Sequence, residues 1–341
     1  MKHRSVILFL LLVIVLVILV CADLLTGTTR MSLHDFVHAL TGNNHDPVLL
    51  NILTEFRIPR VVTALVAGAS LSVSGLMMQT LFRNPLAGPY VLGISSGSAL
   101  GVALLTMGFP GYVLSGSIPG QLNLFLAAFF GATAVLGIML LLSLRLRDVF
   151  TMLIIGMLLG SAFSAIIGIM QYLSNESALK VFVIWTMGSL GGVTSEQIKI
   201  LLPVFILGVI LVIGAIKPLN ALLLGEQEAK TLGINIIGSR VLLLVATGIL
   251  TGLITGYCGP IGFIGVAVPH IARWFFRTGN HRVLVPAVML TGASVLVCSD
   301  LISQLPGKGI ILPVNAVTAL IGIPVIVWVI VRRPIYPGND N

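Results

Sequence analysis

Ten apolar runs follow one another along this chain with little polar sequence between them. They fall at about residues 5–25, 60–82, 90–108, 122–144, 149–172, 198–216, 238–257, 261–277, 283–302 and 312–331. About 20 apolar residues cross a hydrocarbon core, and in lipid each crossing must close its backbone hydrogen bonds within itself. The runs therefore predict an all-α membrane protein of about ten transmembrane helices, integrated into one domain over residues 1–341. Composition agrees: 57% of the residues are apolar and only 9% charged. A soluble domain is roughly a quarter charged, so a soluble globule and a disordered chain are both excluded. Cys21, Cys258 and Cys298 stand alone in apolar stretches and give neither a metal-ligand spacing nor a disulfide framework.

The net charge of +8 does not point to nucleic acid, because the basic residues sit singly or in pairs between apolar runs. They report orientation instead. With ten spans and a cytoplasmic N-terminus, Arg30, Arg57, Arg60, Lys180, Lys199 and Lys308 face outward, and the other thirteen of the 19 Lys and Arg face the cytoplasm. Both termini then lie inside, in keeping with the positive-inside rule. Only Gly259-Pro260 divides the seventh and eighth runs, but merging them would put Arg273 to Arg282 outside. Lys2-His3-Arg4 precedes an apolar run longer than the core of a cleavable leader. The preferred reading is a retained first span; a leader ending near Cys21 is the alternative.

Small residues recur four apart at Gly97/Gly101, Gly156/Gly160 and Gly248/Gly252/Gly256, a spacing that lets helix backbones approach in lipid. No Asp, Glu, Lys or Arg falls in the middle of a run, where an ion-coupled carrier would need one. Gly88-Pro89 opens the third run and Gly259-Pro260-Ile261-Gly262 the eighth, from opposite sides, as an inverted repeat would. Two outer segments are expected to be short helices: Ser32 to Leu40, whose apolar residues at 33, 36, 37 and 40 have helical spacing, and Ala178 to Leu190 around Trp185. The most informative polar stretch runs from Leu224 to Ile234. There Glu226 and Lys230 form an i,i+4 pair, and Gly225 and Gly233 bracket about two helical turns. A short exposed helix of that kind can dock into a groove on a partner.

The chain resembles a FecCD-type permease, the vitamin B12 permease-like membrane subunit of ABC importers for iron–siderophore, haem or vitamin B12. Five motifs carry the resemblance. They are Arg57-Ile58-Pro59-Arg60; Arg83-Asn84-Pro85-Leu86-Ala87-Gly88-Pro89; Trp185-Thr186-Met187-Gly188-Ser189-Leu190; the Gly225-to-Gly233 loop; and Gly259 to Gly265 continuing to Pro269-His270. The resemblance implies a homodimer in the bacterial inner membrane, two cytoplasmic ABC ATPase subunits and a periplasmic or lipid-anchored binding protein. It implies that Gly225, Glu226, Glu228, Ala229, Lys230, Leu232 and Gly233 form an ATPase-coupling loop. Asn84, Pro85 and Leu86 match a gate, with Ser161 and Ser164 lining the path. Arg57 and Arg60, joined by Lys308, would dock the binding protein. The implied cargo is an iron–siderophore-type chelate, with vitamin B12 or haem as alternatives.

The chain itself is read as a transport subunit, not an enzyme, with no catalytic residue, metal or cofactor of its own. It contains no Gly-x-x-x-x-Gly-Lys-Ser/Thr loop; its Gly307-Lys308 pair continues with Gly309. ATP and Mg²⁺ thus belong to a separate ATPase. Gly93-Ile94-Ser95-Ser96-Gly97 with His270 formally matches a serine hydrolase, but the sequence context is a Gly-rich helix start rather than a strand–turn–helix. His34, His38 and His45 with Asp35 and Asp46 are read as a solvated interfacial segment rather than a metal or haem site. An ion-coupled secondary carrier is the alternative of another class.

Overall fold

The computed structural model describes residues 2–27, 47–108, 120–146, 148–306 and 310–331. Twelve α-helical elements occur there, and no strand is found among the described residues. They are α1 (Lys2–Leu25), α2 (Pro47–Leu81), α3 (Ile94–Gly108), α4 (Gln121–Arg145), α5 (Val149–Leu173), α6 (Glu176–Thr186), α7 (Ser195–Leu222), α8 (Glu226–Thr231), α9 (Ile236–Cys258), α10 (Ile264–Phe276), α11 (His281–Gln304) and α12 (Val314–Val331). Seven are long and apolar enough to cross a bilayer: α1, α2, α4, α5, α7, α9 and α11. Shorter apolar helices are α3, α10 and the Val314–Trp328 part of α12. The short α6 covers most of the outer segment expected around Trp185. The expected helix from Ser32 to Leu40 lies outside the described residues.

Helix α2 forms the axis of the bundle and is buried along nearly all its membrane-crossing length. It packs most extensively against α11, and also against α10, α9 and α7. Such packing requires backbones to touch. A Cβ added at Gly75 would lie 1.7 Å from the carbonyl oxygen of Gly265 on α10, and one at Gly68 2.2 Å from that of Gly292 on α11. A second layer repeats the device: Gly97 and Gly101 of α3 lie against Gly131 and Ala127 of α4, and an added Cβ at Gly101 would fall 2.1 Å from the Ala127 carbonyl oxygen. Small residues thus replace the hydrophobic drive that lipid removes. Helices α4, α5 and α7 turn broad apolar faces outward, with Phe130, Leu158 and Ile210 each more than half exposed.

Helix α2 starts well before the predicted run at residue 60. Its 35 residues include a π-helical turn over Ile52–Arg57 and would span about 52 Å, against about 30 Å for a hydrocarbon core. Arg57 and Arg60 therefore sit inside a continuous helix, not in a loop. Arg60 donates from Nε to Asp300 Oδ2 at 2.7 Å and from Nη2 to Asp300 Oδ1 at 2.8 Å. Gln304 donates through Nε2 to Asp300 Oδ2 at 3.1 Å and to Asp23 Oδ1 at 2.8 Å. Arg57 donates to the Leu24 carbonyl. Asp23 is the one buried residue of α1 among the described residues, so this polar clasp ties α1 to α2 and α11 at one end of the bundle.

Candidate functional site

The opposite end carries α8 and the turn that follows α2. Helix α8 stands there because of its own ends. Gly225 adopts φ 134°, ψ 155°, a region closed to side chains. Glu226 and Glu228 occupy the first turn and Lys230 the last, each on the favourable side of the helix dipole. Gly233, at φ 77°, closes the helix: its N–H donates to the Lys230 carbonyl at 2.9 Å, and the Ile234 N–H to the Ala229 carbonyl at 3.0 Å. That is a Schellman motif, which needs a residue free to take left-handed φ. Ala229 is fully buried against the bundle, whereas Glu228, Lys230 and Leu232 face solvent. Leu224 and Leu232 are more than 60% exposed beside these charges. The outcome is a rigid two-turn projection with an apolar and charged outer face.

Glu226 does not pair with Lys230. Its Oε1 accepts from Arg240 Nη2 on α9 at 2.7 Å, and Arg240 Nη1 also donates to the Leu146 carbonyl at 3.2 Å. Two residues beyond, Asp148 caps α5, accepting from Phe150 N, Thr151 N and Thr151 Oγ1 at 2.8–3.0 Å. The Thr151 hydroxyl and these amides hold its carboxyl below the usual carboxylate range.

The Asn84-Pro85-Leu86 stretch leaves α2 as a compact turn, in which Asn84 Oδ1 accepts from Leu86 N at 2.9 Å. The Pro85 carbonyl is 2.7 Å from His270 Nε2 on α10. Gln79, one turn back on α2, donates to the Val266 carbonyl at 3.1 Å and accepts from Arg273 Nη1 at 2.7 Å. One hydrogen bond thus pins the turn to α10, and two more, through Gln79, tie the last part of α2 to the same helix. Leu86, Tyr90, Phe263 and Asn315 line a cavity of about 440 Å³ beside it. At the clasp end a larger cavity, about 580 Å³, is lined by Asp23, Arg57, Arg60, Gln121, Ser189 and Gln304 among others.

Comparison with known proteins decides between the classes this arrangement allows. The FecCD transport family, described as a whole, matches residues 14–332. The chain belongs to the FecCD transport family. It is 39% identical over 282 residues to the vitamin B12 import system permease protein BtuC of Klebsiella pneumoniae subsp. pneumoniae, covering 82% of each chain. It is 36% identical over 331 residues to the hemin transport system permease protein HmuU of Yersinia pestis, covering 94% of each. A solved structure of a metal-chelate type ABC transporter, in an inward-facing conformation, superposes with a TM-score of 0.81 at 30% identity, over 94% of this chain and 98% of that one. The chain is thus a multi-pass permease subunit of an ABC importer, and not itself an enzyme. The family works with an ATPase and a substrate-binding partner.

Within this FecCD permease, the loop from Gly225 to Gly233 and the Asn84-Pro85-Leu86 turn lie at the same end of the bundle. Arg83 Nη2 reaches the Leu222 carbonyl at 3.4 Å, joining the two. Ser161 and Ser164 stand on the exposed face of α5, their hydroxyls donating to the Met157 and Gly160 carbonyls of their own helix at 3.0 and 2.9 Å. Arg57 and Arg60 were expected on an outer rim. They turn inward instead: Arg57 is 8% exposed and the Arg60 guanidinium is engaged by Asp300. Lys308, and the His34, His38, His45, Asp35 and Asp46 group, lie outside the described residues. His270 bonds to Pro85, and no hydrogen bond joins it to Ser95 or Ser96 among the described residues. Sequence reasoning did not single out Arg240, Gln79, Asp23 or Asp300 as functional residues. Each is a lone polar residue near the end of an apolar run, where composition gives no sign of a partner.

Proposed function

We propose that this permease carries a metal chelate, an iron–siderophore first and cobalamin or haem second, across a bacterial inner membrane by alternating access. It works as a homodimer with both termini cytoplasmic. The single observation that carries the reading is α8, a two-turn helix braced by two glycines, with Ala229 seated in the bundle and Leu224, Lys230 and Leu232 left facing outward. A cytoplasmic ATPase gripping that face would move α8 when it closes on ATP, and α8 would move the helices it is tied to. ATP and Mg²⁺ stay on the ATPase. The neighbouring Asn84-Pro85-Leu86 turn serves as the gate, and Ser161 and Ser164 face the path between two copies. The cargo class is supported by the relatives, which are named for vitamin B12, hemin and a metal chelate.

Docking of the binding protein through Arg57, Arg60 and Lys308 requires Arg60 to exchange Asp300 for a carboxylate on the partner. Rim charges of this kind govern encounter more than affinity.

The test is uptake into proteoliposomes that contain the permease, its ATPase and its binding protein, offered ferric siderophore, hemin and cyanocobalamin separately. Uptake of one chelate should need hydrolysable ATP and persist without an ion gradient. Uptake by the permease alone, driven by a proton or sodium gradient, would establish a secondary carrier and end the proposal.

A further inference from the structure

Arg240 lies near the start of α9, with its side chain only 4% exposed. A buried guanidinium is costly unless its donors are used. Here its two terminal nitrogens are used on two different pieces of the chain. One arm of the fork meets the carboxylate of Glu226, the first residue of α8; the other meets the Leu146 carbonyl, at the C-terminal end of α4. Both acceptors suit a cation: one is ionised, and the other carries the negative end of a helix dipole. Helix α8 is well formed in itself, but little besides this pair fastens it to its neighbours. Gly225 and Gly233 flank it, and Ala229 is its one buried residue. Among the described residues, the other side-chain hydrogen bond of α8, Thr231 Oγ1 to the Glu228 carbonyl at 2.7 Å, stays within α8 itself.

We infer that Arg240 is a positioning residue that converts displacement of α8 into displacement of α9 and of the α4–α5 junction. Without it, a push on α8 is absorbed by rotation about its two glycines. With it, α8 cannot shift without dragging the first turn of α9 and the end of α4. Through α4 the motion reaches α5, whose cap at Asp148 lies two residues from Leu146. Lysine cannot replace arginine here, because a single ammonium lacks the planar fork that spans both acceptors. The inference rests on the reading of α8 as the ATPase contact.

The experiment uses the whole importer, permease with ATPase and binding protein, in proteoliposomes. The readout is the factor by which unliganded binding protein outside stimulates ATP hydrolysis inside, since that signal must cross the permease. Arg240→Lys should leave the melting midpoint and co-purification with the ATPase as in the wild type, yet cut the stimulation factor about tenfold, the scale of a typical coupling between sites. In a Glu226→Ala background, Arg240→Lys should add no further loss, because both substitutions break the same α8–α9 tie. An unchanged stimulation factor in Arg240→Lys overturns the inference. So does loss of co-purification or a collapsed midpoint, which would make the pair an ordinary part of the fold. A photo-crosslinker placed at Lys230 tests the underlying reading separately. If it fails to capture the ATPase in the wild-type importer, α8 is not the contact; if it captures the ATPase while Arg240→Lys stimulates normally, only the tie is wrong.

Discussion

Single charged residues do the most unexpected work in this permease. Asp300 is fully buried and receives both donors of the Arg60 fork, and Gln304 joins it to Asp23. A buried ion pair contributes little net stability over an apolar replacement, but removing one partner leaves a charge stranded. Asp300→Asn should therefore destabilise the detergent-solubilised permease by about 3–5 kcal/mol. The double variant Arg60→Met/Asp300→Leu should recover most of that loss, as thermal unfolding of the purified protein would show. Equal losses in the single and double variants would refute the pairing. This clasp was only half legible in the sequence. The absence of charge from the middle of the runs was readable, and holds, but Asp23, Arg60 and Asp300 are 37 and 240 residues apart in successive steps, and only the fold brings them together. The Arg57-Ile58-Pro59-Arg60 motif was visible; the direction of its side chains was not, because helix α2 begins before it and turns both arginines inward.

Helices meet at glycine, and the sequence marked some of those meetings but not the closest. The four-residue spacings at Gly97/Gly101 and Gly156/Gly160 were readable, and both pairs do pack, Gly156 against the Val91 carbonyl. Gly75 with Gly265 and Gly68 with Gly292 have no second glycine at that spacing, and their partners lie on distant helices. Gly75→Val should abolish recovery of folded permease from membranes, since a Cβ alone would overlap the Gly265 carbonyl. Gly168→Ala on α5 should be recovered at wild-type levels, because nothing lies within 4 Å of the added carbon; fluorescence-detected size exclusion of both variants makes the comparison. The short helix α8 was the best-read element. Its two glycines announced its ends, and the structure supplies the reason: an entry conformation and a Schellman exit that side chains disfavour. What periodicity did not show was the destination of Glu226. An i,i+4 lysine was near at hand, but a buried arginine offers a better-desolvated partner than a solvated one.

Over the whole molecule, hydropathy located the apolar runs because lipid imposes a single length scale on them. It placed helix starts less well, since α2 continues past the hydrocarbon and hydropathy does not register a polar helical extension. Helix α5 presents an exposed face that includes Met157, Leu158, Ser161 and Ser164. If that face lies between two copies, Ser164→Cys should yield a covalent dimer with a short bifunctional maleimide in a background lacking Cys21, Cys258 and Cys298. Monomer alone on a denaturing gel would place α5 elsewhere. The contact of Gly75 with Gly265 also bears on how such a molecule can rearrange. With no side chain between them to re-form as they slide, α2 and α10 behave as one plate, and the Pro85–His270 bond rivets the Asn84-Pro85-Leu86 turn to its edge. The slack for any opening must then be found at the sparsely covered margin along α5, where lipid or a second copy can yield without unpicking a seam.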